Sequence, residues 1–229
     1  MGRIAILLFS LLSTDAPVVD NYNSNFHKDL HLFADTSVRK SYKSSVIITA
    51  FNSNQKSNMG SGNYFKVYRK KFILTALHVV EGAEEVVVTD KGGQIYKATI
   101  KYKDSFRDLA ILTVEEQIKY AKPMEYKIPM GIETGKEIAY CGHPDGHYFT
   151  CYNGMISGTS NQYLLLDIFA WPGASGSTVF DRNGRVVGVL SALPLSAPTG
   201  FPILIPNIVR LAPVLHLSPD EIWEVINEC

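Results

Sequence analysis

Apolar and polar positions along this chain alternate in short, β-branched runs, with no long helical stripe. Six such runs follow Ser44: Ser45–Ala50, Tyr64–Tyr68, Lys71–Thr75, Glu85–Thr89, Ile95–Tyr102 and Leu109–Val114. Each has strand length and is bounded by turn residues. In Ile95–Tyr102 the residues Tyr96, Ala98, Ile100 and Tyr102 share one face and Lys97, Thr99 and Lys101 the other, the period-two pattern of a half-buried strand. Asp90-Lys91-Gly92-Gly93 offers the hairpin turn before it. A polar, proline-bearing connection over Glu115–Tyr126 leads to a second set: Glu137–Cys141, Tyr148–Ile156, Gln162–Ile168, Ser177–Phe180, Val186–Ser191 and Phe201–Ile205. Asp181-Arg182-Asn183-Gly184 joins two of these as an Asn-Gly hairpin. Two sets of six strands predict an all-β fold of two six-stranded antiparallel β-barrels, over residues 44–120 and 121–217.

The chain ends differ in texture. Met1–Ala16 has one early charge, Arg3, then the apolar run Ile4–Leu12 and small polar residues. It reads as a secretory signal peptide, which implies a secreted or periplasmic protein; an apolar N-terminal strand is the alternative. The run is too short for a stable membrane span. Residues 17–43 form an N-terminal extension in which Phe26, Leu30 and Phe33 fall at helical spacing. His27 and His31 lie one turn apart there, but no third ligand completes a metal site. At the other end Ser218-Pro219-Asp220-Glu221 is a capping box, so residues 218–229 are expected to make a short helix docking Ile222 and Ile226 on the second barrel.

Composition narrows the partners. Lysine plus arginine and aspartate plus glutamate each total 22 among 229 residues, so there is no basic excess to suggest nucleic acid or a polybasic membrane patch. With 46% hydrophobic and 19% charged residues the chain is a folded globular one. Its three cysteines are Cys141, Cys151 and Cys229. Cys141 and Cys151 flank the turn Gly142-His143-Pro144-Asp145-Gly146 and would face each other across a hairpin in an oxidising compartment. The same segment gathers Cys141, His143, His147 and Cys151, but that spacing matches no common zinc pattern, so neither metal nor cofactor is expected.

Candidate chemistry centres on Trp171-Pro172-Gly173-Ala174-Ser175-Gly176-Ser177, which sets a serine between glycines just before an apolar strand. The glycines let the backbone fold tightly, so that the N–H groups of Gly173 and Ser175 can point at one developing oxyanion. A serine hydroxyl is a weak nucleophile and needs a base, itself oriented by an acid. His78, at the end of the Lys71–Thr75 run, and Asp108, before Leu109–Val114, supply one of each from the first barrel. Taken singly, each has an ordinary reading: a core histidine, a strand-start aspartate, a Gly/Ser turn. Together they set base and nucleophile on opposite sides of a barrel interface.

Thr75-Ala76-Leu77-His78, Asp108-Leu109-Ala110 and Gly173-Ala174-Ser175-Gly176-Ser177 resemble the three signature blocks of trypsin-like, chymotrypsin-fold serine proteases, and most closely the HtrA (DegP-like) protease domain. Gly60-Ser61-Gly62, Gly142–Gly146, Asn153–Gly158, Asn183–Gly188 and Gly200–Ile203 follow in family order, so the likeness covers about residues 44 to 212. It implies peptide-bond hydrolysis of polypeptide substrates, with His78 as general base and acid, Asp108 orienting it, Ser175 forming the acyl-enzyme and Gly173 and Ser175 N–H groups as the oxyanion hole. Ala174 replaces the aspartate that captures a new N-terminus in digestive relatives, which argues against that form of zymogen activation. HtrA proteins normally continue into a PDZ domain, whereas this chain stops shortly after its second barrel; Ser177 stands where many have glycine.

By the family pattern the primary specificity pocket is walled by Phe169, Ala170 and Trp171 and by Ser191, Ala192 and Leu193. No charge lies at its base, so a small or apolar residue before the cut bond is expected, with Asp167 the one nearby acid that would reverse this. Two rivals stand beside an active endopeptidase: a silent homologue that binds peptides or partners in the same groove, and a virus-encoded processing protease in which the early apolar run is core.

Overall fold

The computed structural model describes residues 36–53, 56–160, 163–191, 208–214 and 216–227. The Met1–Ala16 run, His27, His31, the helix expected around Phe26, the Phe201–Ile205 strand, Ala192 and Leu193 lie outside the described residues. The described residues open with helix α1 (Thr36–Ser44), then β1 (Ser45–Phe51), β2 (Ser57–Val67), β3 (Lys70–Ala76), the single helical turn α2 (Leu77–Val80), β4 (Glu85–Thr89), β5 (Ile95–Asp104) and β6 (Leu109–Val114). After the two-residue strand β7 (Met124–Glu125) come β8 (Glu137–Gly142), β9 (Thr150–Ser160), β10 (Tyr163–Asp167), β11 (Thr178–Asp181), β12 (Val186–Leu190), β13 (Ile208–Pro213) and helix α3 (Pro219–Asn227).

The first sheet runs β1-β4-β5-β6-β3-β2 and closes because β2 also pairs with β1. β2 is long enough for both partners: Ser57–Asn63 matches β1 and Asn63–Val67 matches β3. β7 adds to it in parallel, so the polar connection between the barrels is itself anchored on the first. The second sheet closes as β10-β13-β12-β11-β8-β9. Two six-stranded antiparallel barrels are thus the observed architecture, with Ile208–Pro213 as the strand that closes the second.

β5 buries Tyr96 and Ala98 and exposes Lys97, Thr99 and Lys101, as its alternation requires. Around it the first core gathers Val46, Ile48, Phe65, Phe72, Leu109 and Ile111, then continues into Phe180, Val186 and Val189 of the second barrel. The seam between barrels is therefore apolar, and the Phe65 and Phe180 rings lie 6.0 Å apart across it. One buried polar side chain pins it. Asn63 on β2 donates to the Ser41 carbonyl and the Ser44 hydroxyl of α1 at 3.1 and 2.8 Å, and accepts the Thr178 N–H of β11 at 2.8 Å.

α3 forms as its capping box requires: the Glu221 N–H donates to Ser218 Oγ at 3.2 Å and the Ser218 N–H to Glu221 Oε2 at 2.6 Å. Its docking differs from expectation. Ile222 and Ile226 enter the first-barrel core, against β5, β2 and β3, and not the second barrel. The chain is drawn back there because Tyr126, edge-on to Phe65, donates its hydroxyl to the Leu217 carbonyl at 3.0 Å. Trp223 meets the Tyr68 ring edge-on outside the core.

Candidate active site

The β3–β6 register pairs Ala76 with Leu109, which brings α2 beside Asp108. The Leu77 N–H donates to the Asp108 carbonyl at 3.1 Å and the His78 N–H to Asp108 Oδ1 at 2.8 Å. The side chains then close a third contact, with His78 Nδ1 2.7 Å from Asp108 Oδ2. A carboxylate there requires a proton on Nδ1, which leaves Nε2 as the free lone pair. Asp108 holds this position with φ at +57°, a left-handed conformation that an aspartate tolerates better than a bulky residue. From the second barrel, Ser191 Oγ donates to Asp108 Oδ2. Burial works to raise the Asp108 pKa, but the bonds from His78 and Ser191 outweigh it and hold the carboxyl below its usual range.

Ser175 lies in a double turn. The Ala174 N–H donates to the Trp171 carbonyl and the Ser177 N–H to the Ala174 carbonyl, both at 2.9 Å. Three further carbonyls of this loop are fixed from outside: Ser175 by the Ser61 N–H at 2.7 Å, Gly173 by Ser61 Oγ at 2.8 Å and Pro172 by the Asp145 N–H at 2.8 Å. Across a trans peptide the N–H opposes the C=O, so fixing the Pro172 and Ala174 carbonyls also aims the N–H groups of Gly173 and Ser175. Among the described residues neither of those two N–H groups has a protein acceptor. The glycines are required: Gly173 and Gly176 have φ of +98° and +87°, and a Cβ would stand 2.4 Å from the His143 carbonyl or 2.1 Å from the Ser61 carbonyl.

The Ser175 hydroxyl donates to the Ser191 carbonyl at 3.2 Å and makes no hydrogen bond to His78. Both halves nevertheless meet at Gly60, where a Cβ would strike Val79, next to His78, at 2.7 Å and the Ser175 carbonyl at 2.9 Å. Ser191, expected as a pocket wall, thus touches both Asp108 and Ser175. Ser61 was visible in the sequence only as the residue between Gly60 and Gly62; its role depends on pairing across the seam.

The Cys141–Cys151 pair is a disulfide between register partners of β8 and β9. It clamps the hairpin that holds the Ser175 loop from behind. His143 in that hairpin donates its N–H to Ser61 Oγ at 3.1 Å, and its Nδ1 accepts the Phe149 N–H at 3.0 Å. With both sulfurs joined and His143 so engaged, the four-ligand zinc set is not assembled, and among the described residues no cluster of His, Cys, Asp or Glu could hold a metal.

The remaining described pocket candidates differ in burial. Phe169 stacks obliquely on Tyr152 with ring centres 4.8 Å apart and stays half-exposed. Ala170 is buried in the second-barrel core with Ile168 and Ala174. Trp171 is half-buried at the mouth of the Ser175 loop, and Asp167 is exposed on β10.

The trypsin-like peptidase domain family model matches residues 60–189, more than half of the chain, from within β2 to within β12. The chain belongs to the trypsin-like peptidase family. The serine protease HtrA-like of Staphylococcus haemolyticus is 28% identical over 188 residues, covering 72% of this chain and 29% of that protein. The serine protease Do-like HtrB of Bacillus subtilis is 30% identical over 137 residues, covering 53% and 30% respectively. Such curated relatives are longer: the chain spans between 29% and 40% of their length. The crystal structure of the serine endoprotease from Yersinia pestis superposes with a TM-score of 0.65 at 22% identity, covering 84% of this chain and 66% of that one, which shows a shared fold.

Burial pushes the His143 pKa down to about 3, so this trypsin-like domain keeps a neutral imidazole behind its serine loop. A histidine depressed in the fold contributes stability in full above its unfolded value near 6.5, and that contribution falls as pH drops toward the folded value. Between pH 6.5 and 4.5 this costs about 2 kcal/mol. His143→Asn keeps an acceptor near Nδ1 but cannot titrate. Denaturant midpoints measured across this range should fall less steeply in the variant than in the wild type.

Proposed function

We propose that this chain is a serine endopeptidase of HtrA/DegP type, with His78, Asp108 and Ser175 as its triad. The observation that carries the reading is the pair of unengaged N–H groups, Gly173 and Ser175, on a loop whose serine is linked through Ser191 to the aspartate that binds His78. On substrate binding the Ser175 hydroxyl turns from the Ser191 carbonyl to His78 Nε2, a tightening expected of such sites when the substrate arrives. Ser175 Oγ then attacks the carbonyl carbon and its proton passes to Nε2. The resulting oxyanion takes the two N–H groups, whose directions are already fixed, so no reorganisation is required as charge develops. Collapse breaks the C–N bond, and His78 returns the proton to the leaving amine. Water, deprotonated by the same imidazole, hydrolyses the acyl-enzyme.

Asp108 remains ionised throughout and stabilises the imidazolium. Ser191 is a positioning residue for that carboxylate. Relatives named as periplasmic DegP-like endoproteases and the Cys141–Cys151 bridge together favour an extracytoplasmic location. Polypeptides are the substrate, cut after small or apolar residues, because the described part of the pocket wall carries Phe169, Trp171 and Ser191 and no buried charge.

A fluorophosphonate probe should phosphonylate Ser175 and no other serine, with labelling lost in Ser175→Ala. Asp108→Asn should lower kcat by about 10⁴-fold through the wrong histidine tautomer while the fold is kept. A folded protein that does not label would make the chain a silent, peptide-binding homologue. Cleavage profiling over a peptide library should return small and apolar residues before the cut bond; dominance of Lys or Arg would assign Asp167 to the pocket.

A further inference from the structure

The end of the first barrel remote from the cleft carries a second built feature. β6 runs from Leu109, next to Asp108, to Val114, so the β4–β5 turn and the segment after β6 lie at the far end from the triad. There α1, that turn and residues 117–123 enclose a pocket of about 460 Å³, a size that suits a small molecule. Its charged lining is Arg39, Lys43, Lys91, Lys119 and Lys122, with no aspartate or glutamate. Equal totals of acid and base in the whole chain conceal this clustering. Among the described residues none of the five cations has a carboxylate partner.

The nearest acid is already committed. Asp90 is buried and accepts the N–H groups of Gly92, Gln94 and Tyr120 and the Tyr96 hydroxyl, which folds the turn and fixes Tyr120. The Tyr120 ring lies on the Gly92 backbone, where a Cβ would come within 2.2 Å of Cδ2, and about half of the residue remains exposed. Lys91 donates to the Ser45 carbonyl at 3.3 Å and sits 4.7 and 5.0 Å from the Tyr42 and Phe149 ring centres. Desolvation pushes its pKa down to about 7 against the pull of Asp90, a cost that a neighbouring anion would relieve. Lys43 and Lys122 are held together by the Lys122 N–H, which donates to the Lys43 carbonyl at 2.7 Å. Both also line an adjoining pocket of about 380 Å³ that adds Lys40, Lys66 and Lys127; its only acid, Glu125, is paired with Lys66 at 2.6 Å.

Five basic side chains without a carboxylate partner around one cavity repel each other when charged, and a dense anion offsets that repulsion better than a single carboxylate. Arginine supplies a planar fork for phosphate oxygens and the lysines supply point charges. The half-exposed aromatic of the lining is Tyr120, backed by buried Ile118 and Ala121, with Lys119 Nζ 5.0 Å from its ring centre, so a flat body would lie along its free edge. We propose that this pocket binds a small phosphorylated molecule with an aromatic body, its phosphates between Arg39, Lys43 and Lys122 and its ring on Tyr120. This site is independent of the peptidase reading.

Isothermal titration of the full chain with ADP as probe tests it, with pyrophosphate as the same charge without a ring. ADP should bind saturably at one site and more tightly than pyrophosphate. The double variant Arg39→Gln/Lys43→Gln should weaken ADP by about ten-fold or more, while Lys136→Gln, whose lysine pairs with Glu133 elsewhere, should not. Tyr120→Ala should bring ADP down to the affinity of pyrophosphate. Absence of saturable ADP binding, or equal loss in Arg39→Gln/Lys43→Gln and Lys136→Gln, would overturn the proposal.

Discussion

Ser61 is the stitch on which the cleft depends. Its N–H and hydroxyl fix the Ser175 and Gly173 carbonyls, its hydroxyl also accepts from His143, and its own carbonyl accepts the Thr75 hydroxyl at 2.7 Å. One residue on β2 thereby joins the strand that leads to His78, the disulfide-bound hairpin and the serine loop. There is no slack around it. A Cβ at Gly142 would meet Ser177 Oγ at 2.1 Å, and one at Gly176 would meet the Ser61 carbonyl. Unpaired buried polar groups are costly, so the satisfied set has one low-energy arrangement and the loop is held in it.

Two residues away along the same strand, Asn63 repeats the device for the rest of the seam. Side chains at 61 and 63 share a face of β2, and both are fully buried. The apolar part of the interface brings the barrels together without direction; these two polar residues set their register. Asp108 on one barrel and Ser175 on the other are then joined through Ser191, whose hydroxyl reaches Asp108 and whose carbonyl reaches Ser175.

Much of this was legible in the sequence because it is local. Strand runs, the capping box of Ser218 and Glu221, and the His78, Asp108 and Ser175 blocks depend on spacing within a few residues. What was not legible depends on pairing between distant segments. α3 has the amphipathic pattern predicted, yet nothing in Ile222 or Ile226 says which barrel they enter; that is decided by Tyr126 and Leu217 drawing the chain back. α1 was hidden because Thr36–Ser44 is polar, and its buried serines act through hydrogen bonds to β2 and β8, as when Ser41 Oγ accepts the Cys141 N–H at 2.7 Å. Ala170 was placed by position alone, and its burial in the second-barrel core is seen only in the fold. Ser61 and Asn63 sit in an ordinary strand, and only the fold reveals their partners.

The most direct test is the rate of fluorophosphonate labelling at Ser175 in Ser61→Ala, which leaves the His78, Asp108 and Ser175 side chains untouched. If the stitch on the Gly173 and Ser175 carbonyls holds the serine loop in place, labelling should slow by about ten-fold or more while the variant still unfolds cooperatively. A cooperatively folded Ser61→Ala that labels at the wild-type rate would contradict it.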